Sequence, residues 1–242
     1  MMYNTIMLSS QNAEKRRYAL DDEYMSAKLT VAGVDEAGRG PWAGPVVAAA
    51  VVPDELDTEY ADSKALSPVQ RSKFFSRIVS TCSVGVGIAS PEEVDILNVL
   101  NATRIAVVRA VDNLGIVPER ILIDGKYLEF DSRCRCIVSG DRLNNAIAAA
   151  SIVAKVVRDS YMSSLSIILP GFSFFAHKGY GTPLHRAELK ASGPTPWHRL
   201  TYSPVRELIT PETIKNWLSK GLLSDRRHES ILKKMKGDSY DV

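Results

Sequence analysis

Apolar residues in the first half of the chain come in short runs, broken by polar, glycine or proline positions. Thr30 to Val34 (TVAGV) is one such run and predicts a buried strand. The Gly- and Pro-rich stretch Gly38 to Pro45 separates it from Val46 to Val52 (VVAAAVV), a second buried strand. So short a connection predicts an antiparallel hairpin. Ser67-Pro68-Val69-Gln70 has the form of a capping box with proline at the first helical position, which predicts a helix start. Cys82 to Ala89 (CSVGVGIA) alternates and predicts a third strand. Ser90-Pro91-Glu92-Glu93 is a second capping box, and apolar residues then recur at helical spacing to Leu114, with Gly115 as the stop. Arg120 to Asp124 (RILID) predicts a fourth strand broken by Gly125, and Arg135 to Val138 a weaker fifth. Asn145 to Ile168 predicts a long helix closed by Pro170-Gly171. Beyond it, Gly179, Gly181, Pro183, Pro194 and Pro196 predict irregular chain, with short helices after Ser203-Pro204 and Thr210-Pro211. This order predicts an α/β fold: a mixed sheet flanked by helices, with a helical C-terminal appendage.

Composition narrows the class. A chain of 242 residues with 45% hydrophobic content can bury a core in one domain, or in one domain with an appendage. A charged fraction of 24% excludes the disordered class for the chain as a whole. No apolar run reaches the roughly 18 residues that would span a bilayer, so no membrane association is expected. Charged residues, not a small-residue cleavage site, follow the apolar patch Ile6–Leu8, so no secretory signal is read. Cys82, Cys134 and Cys136 are too few and too unevenly spaced for a zinc site, and read as free thiols in a reducing cytoplasm. A net charge of +2 neither announces nor excludes a nucleic-acid binder, because acidic catalytic residues would offset a basic patch.

The candidate chemistry is acidic. Asp35 and Glu36 close the first predicted strand, Asp124 closes the fourth, and Asp141 follows Ser139-Gly140 in a loop. A carboxylate ending an apolar strand is costly unless something pairs with it. Hard divalent ions take oxygen ligands, and two of them can hold both the attacking and leaving oxygens of a phosphodiester. An all-carboxylate set therefore suits phosphoryl chemistry better than acyl transfer. Adjacent strand residues point to opposite faces, so Asp35 and Glu36 share a site only if the strand ends or twists between them. Gly38-Arg39-Gly40 follows directly; its glycines let backbone approach a ligand closely, and Arg39 could contact a phosphate.

At this point the chain resembles a known family. Val34 to Gly40 (VDEAGRG) with Gly44-Pro45 is similar to the opening motif of ribonuclease HII, the prokaryotic type 2 ribonuclease H. Asp62-Ser63-Lys64, Asp95 to Thr103 (DILNVLNAT), Ile123-Asp124-Gly125, Gly140-Asp141, Ala148 to Asp159 (AAASIVAKVVRD) and Lys178 to Thr182 (KGYGT) match the same family in order. The resemblance covers roughly residues 30 to 205. It implies a ribonuclease H-like domain over 29–205, an N-terminal extension over 1–28 and a helical C-terminal extension over 206–242. It implies Mg²⁺ or Mn²⁺, with Asp35, Glu36, Asp124 and Asp141 as metal-binding catalytic carboxylates. It further implies that Gly38, Arg39 and Gly40 sense the 2′-hydroxyl at the cleavage point, that Tyr180 stacks on the following deoxyribose, and that Lys64 lies near the substrate backbone. The implied substrates are RNA/DNA hybrids and duplex DNA containing ribonucleotides, cut 5′ of the ribonucleotide to leave 3′-hydroxyl and 5′-phosphate ends. The 2′-hydroxyl is what separates RNA from DNA at a single position, and an aromatic face packs well on a sugar. The chain departs from the family at Ser139, where a lysine is usual, which sets Asp141 apart from the other three carboxylates.

Other readings are weaker. Ribonuclease HIII has similar carboxylates, but usually replaces the arginine of Gly-Arg-Gly and carries a large extra N-terminal domain. A ribonuclease H-fold recombinase would cut DNA lacking ribose, against the Gly-Arg-Gly resemblance. A binding module that had lost catalysis would not need four intact carboxylates. Lys155 and Asp159 share a helix face and read as structural. His177, His185 and His198 read as loop or surface histidines, since an oxygen-ligand site does not need imidazole. Arg226, Arg227, Lys233, Lys234 and Lys236 read as a solvated helix face. Nothing indicates a stable oligomer, so a cytoplasmic monomer is expected.

Overall fold

The structure, a computed structural model, describes residues 29–53 and 66–236. The N-terminal extension and the Asp62-Ser63-Lys64 motif lie outside the described residues. In chain order the elements are β1 (Val31–Ala37), β2 (Val46–Pro53), α1 (Pro68–Thr81), β3 (Cys82–Ala89), α2 (Pro91–Leu97), α3 (Val99–Asp112), β4 (Arg120–Asp124), β5 (Cys134–Ile137), a 3₁₀ turn at Gly140–Arg142, α4 (Asn145–Ile168), α5 (Phe174–His177), α6 (Pro183–Ser192), α7 (Ser203–Arg206), α8 (Pro211–Ser219) and α9 (Asp225–Met235). Among the described residues no helix is long and apolar enough to cross a membrane. The three cysteines are free thiols.

The five strands form one mixed sheet in the order β3-β2-β1-β4-β5. β1 is central: it runs antiparallel to β2, with Asp35 opposite Ala49 and Glu36 opposite Ala48, and parallel to β4, with Val34 beside Ile123. β5 runs parallel to β4, with Asp124 beside Ile137. The expected hairpin is present, but β1 is longer than the apolar run that predicts it. It continues through Asp35 and Glu36 to Ala37, because the small alanines of β2 keep pairing with it.

Two compact units make up the chain. Among the described residues, the first draws on 29–37, 47–53, 66–88 and 104–156, and the second on 38–46, 89–103 and 157–236. In the first, Ala32, Val34, Ile121, Leu122, Ile123, Ile147 and Ile152 are buried, an apolar sandwich of sheet and helix. Glycine makes the close approach possible. A Cβ on Gly33 would stand 2.1–2.5 Å from the Ala146–Ile147 peptide of α4. In the second unit a separate core gathers Met162, Phe172, Phe174, Leu200, Ile214 and Trp217.

Local signals explain the helix starts. Ser67 with Gln70, and Ser90 with Glu93, form reciprocal capping boxes as their sequences predict. The single helix expected from Ser90 to Leu114 is two helices. Asn98 takes φ 68 and ends α2, and its side chain then accepts the Asn101 amide at the start of α3. The irregular chain expected around Pro183 contains α6, whose start is marked by the Thr182 side chain accepting the His185 amide and by Pro183 in the first turn.

Gly33→Ala is expected to destabilise the protein by roughly 3 kcal/mol, the upper end of overpacking penalties, because the obstacle is helix backbone and cannot rotate away. Urea midpoints of the variant and the parent measure it; an unchanged midpoint would contradict this packing.

Candidate active site

The carboxylates belong to the first unit. Continuing the β1–β4 register one residue past Val34 and Ile123 sets Asp35 beside Asp124. Asp35 is buried, and its Oδ1 accepts the Glu36 amide at 2.7 Å. Burial raises the Asp35 carboxyl well above the usual carboxylate range; the negative charges of Glu36 and Asp124 push the same way, against a hydrogen bond from Ser151 on α4. Asp124 Oδ1 accepts the Gly140 amide at 2.6 Å. That bond fixes the 3₁₀ turn bearing the buried Asp141. Ser139, in the left-handed region at φ 58, reverses the chain so that the turn can reach Asp124, and its side chain makes no capping bond.

Thus the structure joins Asp35 to Glu36 and Asp124 electrostatically, and Asp141 to Asp124 through one backbone amide. Among the described residues, no three His, Cys, Asp or Glu side chains converge closely enough to hold an ion as they stand. The donor chemistry nevertheless fits a hard divalent cation. The groups are oxygen ligands, and a cation would supply the positive charge that the Asp35 carboxylate lacks.

Gly38-Arg39-Gly40 belongs to the second unit, and there the structure reveals what holds it. Arg199 is fully buried and donates to the carbonyls of Gly38, Arg39 (2.6 Å) and Gly44 (3.1–3.2 Å). Arg158, also buried, donates to Pro45 O at 3.0 Å, Ala43 O at 3.2 Å and Lys178 O at 3.1 Å. Gly38 has φ 99, and a Cβ there would meet the Arg158 side chain at 2.0 Å. With its carbonyls turned inward, the loop leaves Arg39 and Gly40 exposed. Tyr180 is 44% exposed beside them, its ring edge 3.8 Å from where a Gly40 Cβ would stand. Burial, reinforced by the charge of Arg199, pulls the Arg158 guanidinium down to about 10, and burial lowers Arg199 too. Sequence reasoning missed both arginines. A signal existed for Arg158, a charge on the apolar side of a long helix, but Arg199 sits in irregular chain.

Two further expectations are corrected. His177, His185 and His198 are not surface residues but a buried cluster, packed against Phe172 and Phe174. Burial first, and His177 second, lower His185 to about 4; burial and then His185 lower His198 to about 3. Their ring nitrogens are satisfied by loop backbone, by one another and by the Glu188 and Thr195 side chains, which loop-like sequence does not disclose. Arg227 is not on a solvated face. It is buried, and donates to Asp95 (2.9 and 2.8 Å), Pro196 O and His198 O. Asp95 also accepts the Leu200 and Thr201 amides, so this pair anchors the segment that carries Arg199. Arg226, Lys233 and Lys236 are exposed as expected.

A central mixed sheet with β1 antiparallel to β2 and parallel to β4, and carboxylates where β1 and β4 end, defines a ribonuclease H-like nuclease fold. Comparison agrees. The ribonuclease H2 of Pyrococcus horikoshii OT3 superposes with a TM-score of 0.61 at 27% identity, over 74% of this chain and 97% of that one. A ribonuclease HIII in complex with Mn²⁺ shares the fold at 20% identity and a TM-score of 0.56, over 74% of this chain and 69% of that one. The family model for ribonuclease HII matches residues 32–205. The ribonuclease HII of Thermotoga maritima is 47% identical over 213 residues, covering 88% of this chain and 90% of that one. That of Chlamydia pneumoniae is 42% identical over 195 residues, covering 78% and 91%. The chain belongs to the ribonuclease HII family, and it is a hydrolase with ribonuclease H activity.

The shifted groups have opposite consequences. Because the folded Asp35 binds its proton more tightly than the unfolded chain does, its cost appears as pH rises above about 3.8, where the unfolded chain gives up its proton first, and is complete once the folded carboxyl ionises. Asp35→Asn should therefore stabilise the ion-free protein at pH 7, by roughly 0.5–2 kcal/mol, and thermal unfolding in chelator tests it. His185 and His198 stay neutral in the fold while the unfolded chain gains protons below about 6.5, so their contribution is complete above that pH and is lost as pH falls toward 4 and 3. The urea midpoint should drop more steeply between pH 6.5 and 4 for the parent than for His198→Gln; equal slopes would count against the buried neutral pair.

Proposed function

We propose that the protein hydrolyses the RNA strand of RNA/DNA hybrids and cuts duplex DNA on the 5′ side of single embedded ribonucleotides. The observation that carries this reading is the buried Asp35 beside Glu36 and Asp124, an acidic cluster suited to a divalent ion, in a chain of the ribonuclease HII family. The residues that would hold Mg²⁺ or Mn²⁺ are Asp35, Glu36, Asp124 and Asp141; the ion would add Lewis acidity and lower the pKa of a water at neutral pH. Asp124 has a second task, since its bond to the Gly140 amide sets the position of Asp141.

Recognition falls to the second unit. Arg199 and Arg158 turn the loop carbonyls inward, so the exposed Arg39 and Gly40 would meet a ribose 2′-hydroxyl and the adjoining phosphate. The exposed ring of Tyr180 packs on the deoxyribose that follows. Lys64 lies near the substrate backbone in this reading. Opening of the phosphodiester in line leaves a 3′-hydroxyl and a 5′-phosphate. Removal of misincorporated ribonucleotides and of RNA primers follows from that specificity, carried out by a cytoplasmic monomer.

A DNA duplex with one ribonucleotide, incubated with Mg²⁺ or Mn²⁺, should be cut once, 5′ of the ribonucleotide, and not at all with chelator. An all-DNA duplex should remain intact. Asp35→Asn and Asp124→Asn should each lower kcat on the order of 10³-fold. Cleavage of the all-DNA duplex at a similar rate, or full activity of Asp35→Asn, would overturn the assignment.

A further inference from the structure

We propose that His185 is a positioning residue that sets Tyr180 through its main chain, that His198 and Thr195 fix the form of His185 that can do so, and that His177, held by Glu188, fixes the neighbouring Gly179. The proposal rests on the reading of Tyr180 as the ring that packs on the deoxyribose.

The hydrogen bonds determine where the protons of these three imidazoles lie, His177, His185 and His198. His185 Nδ1 stands 3.0 Å from Tyr180 O, and a carbonyl only accepts, so Nδ1 carries the proton. His185 Nε2 is then bare, and it faces His198 Nε2 at 3.1 Å, so His198 must donate. His198 Nδ1 is bare in turn, and it accepts the Thr195 amide at 3.1 Å and meets the Thr195 hydroxyl at 2.9 Å. An amide can only donate, so the far end of the chain independently demands the same assignment. His177 is fixed in the same way. Its Nδ1 accepts the Gly179 amide at 3.1 Å, which leaves Nε2 to donate to Glu188 at 2.9 Å. Glu188 also accepts the Ser173 amide at 3.0–3.1 Å. The His177 and His185 rings stack with centroids 4.3 Å apart and 11° between planes.

These rings grip the two residues that aim Tyr180. The Gly179 amide is held by His177 and the Tyr180 carbonyl by His185. Trp42 donates to the Gly179 carbonyl at 2.8 Å, so the loop is also tied to the segment next to Gly-Arg-Gly. Between Lys178 and Thr182, Tyr180 is the one exposed residue. A second proton on His185 would set its Nε2–H against that of His198 across 3.1 Å, one on His198 would set Nδ1–H against the Thr195 amide, also at 3.1 Å, and both rings resist protonation in the fold. This stiff, neutral array is more than a core needs to fill space, and it is spent on a loop whose one projecting group is a tyrosine.

Two substitutions separate positioning from packing. In His185→Asn the side-chain amide occupies the Nδ1 position and still donates to Tyr180 O. In His185→Gln the polar end reaches the Nε2 position and leaves Tyr180 O without that donor. We expect His185→Gln to lower kcat/KM on the single-ribonucleotide duplex about 10-fold or more, with long-hybrid cleavage changed less than about 3-fold, and His185→Asn to restore the parent ratio. Parallel losses on both substrates in both variants would reduce His185 to a packing role. Tyr180→Ala is the reference. If it leaves the substrate ratio unchanged, the stacking reading of Tyr180 falls and the proposal with it. If it collapses the ratio while His185→Gln does not, only the role of His185 falls. Imidazole ¹⁵N spectra of the unsubstituted protein provide a check independent of any variant's folding. His185 should be the Nδ1–H tautomer and His198 the Nε2–H tautomer; the reverse would overturn the proposal.

Discussion

Asp35 stands in the central strand of the sheet, buried, with two other carboxylates acting on it. An ionised group in that position is stabilised only by compensating charge or hydrogen bonds, and here the hydrogen bonds from Glu36 N and Ser151 do not offset the burial. The sheet makes the placement unavoidable. β1 is fixed on one side by five consecutive pairs to β2 and on the other by the parallel pairing to β4, so Asp35 cannot slip to solvent without moving the whole centre of the fold. Stability held in the Ala-rich pairing of β1 and β2 thus sustains an acidic cluster that would otherwise relax. Such a local conflict, supported by a consistent surrounding fold, is what a functional site is expected to look like.

The second unit faces the mirror problem. Its loops present carbonyl oxygens inward, and Arg158, Arg199 and Arg227 are the buried donors that satisfy them. Arginine suits this role better than lysine, because one planar guanidinium can donate to several acceptors at fixed angles. Arg199 alone reaches three loop carbonyls. Arg227 is held by Asp95, itself fully buried, so the segment carrying Arg199 is braced before Arg199 braces the glycine loop. The rigidity of Gly-Arg-Gly therefore comes from long-range side chains, not from the glycines, whose contribution is to allow φ 99 at Gly38 and the close approach of Arg158.

Much of this was legible in the sequence, and what was not has physical causes. Strand and helix starts were readable because capping boxes and apolar runs are local signals, as at Ser67 and Ser90. The end of β1 was not, because an acidic residue in a strand is tolerated only when a partner strand keeps pairing, and that partner lies in β2. The break at Asn98 was hidden because the apolar spacing continues through it. Motif resemblance pointed to the carboxylates, to Gly-Arg-Gly and to Tyr180, yet it said nothing of how they are held. Those supports are reached across the chain: Arg199 lies 160 residues from Arg39, and Arg227 lies 132 from Asp95. A single sequence carries no local trace of such pairs.

The histidines show the same limit most clearly. In sequence His177, His185 and His198 sit among glycines and prolines, where polar residues normally meet water. In the fold that irregular stretch is covered by Phe172 and Phe174, and the rings do the work that strand or helix hydrogen bonds would do elsewhere. Imidazole is the side chain that can both accept and donate in one neutral ring, so a chain of histidines can pass hydrogen bonds through a core without burying a net charge. Guanidinium groups where carbonyls must be collected and neutral imidazoles where a loop must be fixed without charge are two answers to one constraint, that a buried polar group find a partner.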